Sequence, residues 1–220
     1  MGIGAPIAFF KQTLQAFKTT GAVAPSSSFL AQAMVAQLPL AEAIPDDFRV
    51  LEVGPGTGAF TKALAQRLHR HGRLDLYEIN PAFVRHLRQR LESEQVFIRM
   101  QGRIQLHEGD VMQLPARAQY DAMVSGLPFN NFMPGEVRHF LEHFRTLLRD
   151  GGTLSYFEYS AIRKLQAPFV SRARRMRLEG IEHVVTEFAR SGQAHDQLVL
   201  INLPPARVRH LRLGAPGARR

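Results

Sequence analysis

The chain has 220 residues, 45% apolar and 21% charged, with a formal charge of +9 and no cysteine. No run of roughly 18 apolar residues could span a bilayer, and the missing thiols exclude disulfides, thiolate catalysis and cysteine-bound zinc. The arginine-dominated charge excess predicts a polyanionic partner, either the phosphates of nucleic acid or an anionic lipid surface, and charge alone does not choose between them.

The N-terminus carries no basic region followed by a long apolar core and cleavage site, so the expected location is cytoplasmic. A first amphipathic helix over residues 4–18 places Ile7, Phe10, Leu14 and Phe17 on one face with Lys11 and Lys18 beside it. Basic helices of this kind lie in a membrane interface or cap a core. A second helix is expected over 27–38, giving an N-terminal unit of residues 1–40 and a main domain of 41–213.

Within that domain, residues 49–54, 74–79, 104–108, 120–125, 153–159 and 196–202 read as strands. Helical periodicity separates them at 59–70, 81–93, 134–148 and 162–178. Alternation of this type predicts an α/β fold, a mostly parallel sheet with helices on both faces. Residues 181–190 are a further strand candidate, pairing with 196–202 as a C-terminal hairpin with one antiparallel strand. Residues 214–220 read as a flexible basic tail. Histidines are scattered without metal-ligand spacing, and no metal is expected.

The chemistry concentrates where the first strand runs into Glu52-Val53-Gly54-Pro55-Gly56-Thr57-Gly58. Three alternate glycines followed at once by a helix make a turn whose backbone a ligand can touch. Glu78 ends the second strand, placed to accept hydrogen bonds from ribose hydroxyls, and Asp110 follows the third, placed to read an adenine amino group. Ile79 and Val111 flank these acids. Acids at three strand ends suit a cationic cofactor better than a pyrophosphate, and the Gly-x-Gly-x-Gly spacing departs from dinucleotide sites. S-adenosylmethionine fits.

At these positions the chain resembles the class I S-adenosylmethionine-dependent methyltransferases, over residues 49 to about 204. The resemblance implies a Rossmann-like seven-stranded sheet and a cofactor site at Glu52, Gly54, Gly56, Thr57, Gly58, Glu78, Ile79, Asp110 and Val111, with Ser125 and Leu127 beside it. The loop Ser125-Gly126-Leu127-Pro128-Phe129-Asn130-Asn131-Phe132 chooses the acceptor. Adenine amino methyltransferases carry a side-chain amide or acid ahead of Leu-Pro and an aromatic, whereas here Ser125-Gly126 stand there. The segment is similar to the Ser-Gly-Leu-Pro turn of bacterial phospholipid N-methyltransferases, which convert phosphatidylethanolamine stepwise to phosphatidylcholine. Lys18 to Ser27 and Asn202 to Val208 are similar to that family as well. Asn130 after Phe129 also resembles the Leu-Pro-Tyr-Asn turn of ribosomal RNA adenine dimethyltransferases, which makes RNA methylation the second reading. A silent cofactor-fold module that binds RNA or membrane is a third.

Lipid amine methylation needs a proton acceptor, expected at Glu158 or Tyr159, which alternation puts on opposite sides of their strand. Aromatic faces that stabilise a growing quaternary cation are expected at Phe129, Phe132 and Tyr159. Cations for the lipid phosphate and an anionic surface are expected at Lys11, Lys18, Arg163, Lys164, Arg172, Arg174 and Arg175, with Phe10 and Phe17 entering the headgroup layer. The expected protein is a monomer held peripherally at the inner membrane.

Overall fold

A computed structural model describes residues 27–68, 70–159, 172–190, 192–202 and 205–213. The helix expected over 4–18 with Phe10, Lys11, Phe17 and Lys18, the segment carrying Arg163 and Lys164, and the tail 214–220 lie outside the described residues. Seven strands form one sheet in the order β3-β2-β1-β4-β5-β7-β6. The strands are β1 Arg49–Val53, β2 Arg73–Glu78, β3 Ile104–Glu108, β4 Tyr120–Ser125, β5 Leu148–Tyr159, β6 Gly192–Val199 and β7 Ala206–Leu213. The first five run parallel, and β7 is antiparallel to both of its neighbours.

Alternation along the strands fills two cores, as the pleat requires. On one face Val50, Leu76, Val124 and Phe157 pack with α1 (Ser28–Met34) and α2 (Ala59–Arg67). On the other, Leu51, Met123, Leu154 and Tyr156 pack with α5 (Pro134–Leu147) and α6 (Arg172–Ala189). The helices α3 (Pro81–Ser93) and α4 (Gln95–Ile98) follow β2. Asn80 caps α3, its side chain accepting from the Ala82 N–H at 2.9 Å, and Pro81 opens the helix where no N–H is needed. In α1 the side chains of Leu30 and Met34 are fully buried, so this helix belongs to the core.

The C-terminal hairpin differs in place from the expected one. Residues 181–190 are not a strand: through Ala189 they belong to α6, whose buried Ile181, Val184, Val185 and Phe188 recur at helical spacing. The β-branched run Val184-Val185-Thr186 mimics a strand, but tertiary packing overrides that propensity. Gly180 allows α6 to press on α5, since a Cβ there would lie 2.7 Å from Pro134 Cγ. The strands that do pair are β6 and β7, and β7 carries Arg207, Arg209, His210 and Arg212. Two of these side chains, Arg209 and His210, are buried against distant partners, and burial holds the His210 imidazole down to about 4, which keeps it neutral. Arg209 Nη2 donates to Glu182 Oε1 at 3.0 Å, and His210 Nδ1 meets Ser155 Oγ at 2.7 Å.

Candidate active site

At the carboxyl end of β1 the chain leaves the sheet through Gly54, Gly56 and Gly58, with φ of 67°, 57° and 84°. This left-handed backbone costs an L side chain about 1–2 kcal/mol per residue. The tightest point is Gly126, on the loop after β4, where a Cβ would lie 2.4 Å from the Gly54 carbonyl oxygen. Hydrogen bonds from Gly126 N to Val53 O (2.8 Å) and from Gly54 N to Tyr77 O (2.9 Å) hold the two loops in that approach. Any side chain at position 126 is excluded, including the amide that an adenine amino methyltransferase places ahead of Leu-Pro. Ser125 turns inward, its Oγ accepting from the Leu127 N–H at 3.3 Å, and so shapes the loop from beneath.

The three acids occupy different depths. Glu78, 2% exposed, receives the Gly56 N–H at 3.0 Å and the Asn80 N–H at 2.8 Å on its two carboxylate oxygens. Burial raises its pKa, and those backbone donors oppose the rise. A carboxylate offers about four acceptor sites, so Glu78 can brace the turn and still accept from ribose hydroxyls. Glu52 stands beneath the turn, fully buried beside Thr61 of α2. Burial pushes its carboxyl up to about 8, the neighbouring Glu78 adds to that and Thr61 opposes it. Asp110 caps the short turn Val111–Gln113, accepting from the Met112 N–H at 2.9 Å.

Between these loops lies a cleft lined in part by Gly54, Ile79, Asp110, Val111 and Leu127, all expected cofactor contacts. Its other walls include Tyr77, Met112 and Phe140. Sequence reading missed those three, since Tyr77 looks like an ordinary strand residue and Phe140 like a helix core position. Arg90 is a further addition: from α3 its guanidinium bonds the Thr57 carbonyl and closes over the turn beside Gly58. S-adenosylmethionine fits this donor set. Apolar walls suit adenine, Glu78 and Asp110 suit ribose and the base amine, and the side-chain-free face of Gly54 and Gly126 admits the methionine end.

The acceptor side is built differently from the expectation. Phe129 and Phe132 are 1% and 2% exposed. Their rings are taken up by neighbours, Phe129 against Tyr156 at 5.2 Å and Phe132 against Phe140 at 5.3 Å, so neither presents an open face to a substrate. Glu158 and Tyr159 do sit on opposite faces of β5, Tyr159 packing edge-on against Phe157 at 5.2 Å. Glu158, 6% exposed, shares a buried polar group with Tyr156 and Arg209, which sequence reading missed. Burial raises the Tyr156 pKa and the adjacent Glu158 charge adds to the rise. On the acceptor loop Asn130 carries a buried amide oxygen without a hydrogen-bond partner. Arg172, Arg174 and Arg175 lie together on the exposed first turn of α6, at the same edge of the sheet.

Residues 50–152 match the family described as Methyltransferase domain. An ornithine lipid N-methyltransferase from Singulisphaera acidiphila is 32% identical over 133 residues, spanning 60% of this chain and 67% of the relative. A putative O-methyltransferase from Klebsiella pneumoniae superposes with a TM-score of 0.66 at 18% identity, over 94% of this chain and 90% of that one. The O-methyltransferase TomG from Streptomyces achromogenes, solved in complex with SAM, gives 0.61 at 16% identity over the same shares. These two structures establish the fold.

Proposed function

We propose, for a chain that belongs to the class I S-adenosylmethionine-dependent methyltransferases, that the acceptor is the primary amine of a membrane-lipid headgroup, phosphatidylethanolamine being methylated toward phosphatidylcholine. The observation that carries this reading is the likeness to an ornithine lipid N-methyltransferase, which spans two thirds of that relative. The acceptor loop agrees with it. With a side chain excluded at Gly126, the amide that would grip adenine has no place, which weighs against RNA as acceptor.

When bound, the cofactor would supply an activated methyl group on a sulfonium, and the acceptor ammonium must first lose a proton to offer the lone pair that receives it. The protein's part is placement and desolvation. The glycine turn and Gly126 fix one wall, and Glu78 and Asp110 orient the cofactor in the cleft. On the acceptor side, Asn130 Oδ1 is an acceptor for the amine N–H and Glu158 takes the proton, while Tyr159, expected as an alternative base, packs on the other face of β5. Arg172, Arg174 and Arg175 meet the lipid phosphates, and the protein works as a monomer held peripherally at the cytoplasmic face of the inner membrane.

The test offers labelled S-adenosylmethionine with vesicles of phosphatidylethanolamine or of ornithine lipid, and chromatography identifies the labelled lipid. Label in phosphatidylethanolamine derivatives supports the full reading. Label confined to ornithine lipid keeps the lipid amine and replaces the headgroup, and no lipid label in either preparation refutes the reading.

A further inference from the structure

Among the described residues, eight large apolar side chains are strongly exposed, and six of them lie at the edge of the sheet that carries the cleft. Leu198, Leu200 and Ile201, 54%, 68% and 72% exposed, form the end of β6 and its connection to β7. That connection stands at the carboxyl end of β5, because Val199 and Tyr159 both pair with Ala206. Phe29 joins them, since the Ser27 N–H ahead of α1 donates to Asn202 Oδ1 at 3.2 Å. Met133 precedes α5, and Met176 lies one turn before the Gly180 that packs on Pro134. The other two, Leu40 and Ile98, are elsewhere.

We infer that this rim, led by Leu200 and Ile201 at the β6–β7 tip, enters the headgroup and upper acyl layer of an anionic bilayer. The inference deepens the lipid-acceptor reading and rests on it for its purpose. Two features select a bilayer. The exposed rim is chiefly aliphatic and thioether side chains, which gain from leaving water but offer no stacking face to nucleobases. Arg172, Arg174 and Arg175 flank it from α6, complementary to an anionic headgroup layer. Cationic residues around protruding aliphatic ones describe a surface that attracts and then inserts. Docked this way, the sheet edge with Asn130 and Glu158 faces the lipid layer, so a headgroup amine reaches the acceptor loop without leaving the membrane.

The chain has no tryptophan, so Ile201→Trp creates a single fluorophore at the tip. Titrated with vesicles of phosphatidylglycerol and phosphatidylethanolamine, this variant should show a blue-shifted emission that brominated acyl chains quench. The double variant Leu200→Asp/Ile201→Asp should lose about tenfold or more in vesicle affinity with an unchanged melting temperature. Emission that stays water-like while the protein sediments with vesicles would overturn the inference, as would full-strength sedimentation of the Asp variant. A blue shift without vesicles that grows with protein concentration, or one produced by RNA, overturns it too, making the tip a self-association or RNA contact. Methylation of a short-chain aminolipid in detergent micelles separates the two readings. Activity there with no insertion sinks only the docking surface, and insertion without micellar activity sinks only the proposed acceptor.

Discussion

Replacing Gly126 with alanine adds one methyl group at the point where two loops meet. An ideal Cβ at this position lies 2.4 Å from the Gly54 carbonyl oxygen, 0.6 Å inside the 3.0 Å below which such contacts essentially do not occur. The Gly54 carbonyl belongs to the turn that Glu78 and Arg90 brace, so relief requires backbone movement at the cofactor wall. Overpacking of this kind costs about 1–3 kcal/mol, equivalent to a fall in melting temperature of roughly 2–12 °C for a chain of this size. Calorimetry should therefore show S-adenosylmethionine binding about 10- to 100-fold weaker in Gly126→Ala, at about 1.4 kcal/mol per factor of ten. Gly135→Ala is the control, since nothing lies within 4 Å of a Cβ there. Wild-type affinity in Gly126→Ala would refute the packing argument, and with it the exclusion of a side chain from this loop.

Burial holds the Glu52 carboxyl up to about 8 in the folded protein against an ordinary 4.5. Its contribution to stability is therefore whole below pH 4.5 and is lost as pH rises toward 8. The loss is about 2 kcal/mol between pH 6 and pH 8, and Glu52→Gln should flatten denaturation midpoints across that window. Glu78→Ala should abolish calorimetric cofactor binding, with Glu78→Gln intermediate because its amide nitrogen cannot accept from Gly56 or Asn80; undiminished affinity in Glu78→Ala would remove the ribose assignment. Arg209→Met leaves Glu158 and Glu182 without their buried cation and should lower urea stability by about 3–5 kcal/mol, whereas a neutral result would show that the polar group under Phe129 is already compensated.

The cofactor half of the site was legible because its chemistry is local. A glycine turn after an apolar strand, and acids at the next two strand ends, are readable from spacing. The partners of those groups were not. Glu78 bonds Gly56 from 22 residues away, and Gly126 is required by Gly54 across 72 positions. The acceptor side is harder for the same reason. Phe129 reads as an open aromatic face until Tyr156 is seen against it, and nothing local in the sequence marks Arg209 as the buried partner of Glu182 and Asp196. The misplaced hairpin has its own cause, a β-branched run that only the packing of α6 against the sheet reveals as helix. The exposed apolar rim was invisible in sequence because four separated segments build it.

The central claim is that the methyl group goes to a lipid amine. Its most direct test is a competition in which labelled S-adenosylmethionine is given to the full chain with aminolipid vesicles and ribosomal RNA present together. The account predicts label in the chloroform-soluble fraction, lost in Glu78→Ala. Label in the RNA with the lipid fraction empty would contradict it.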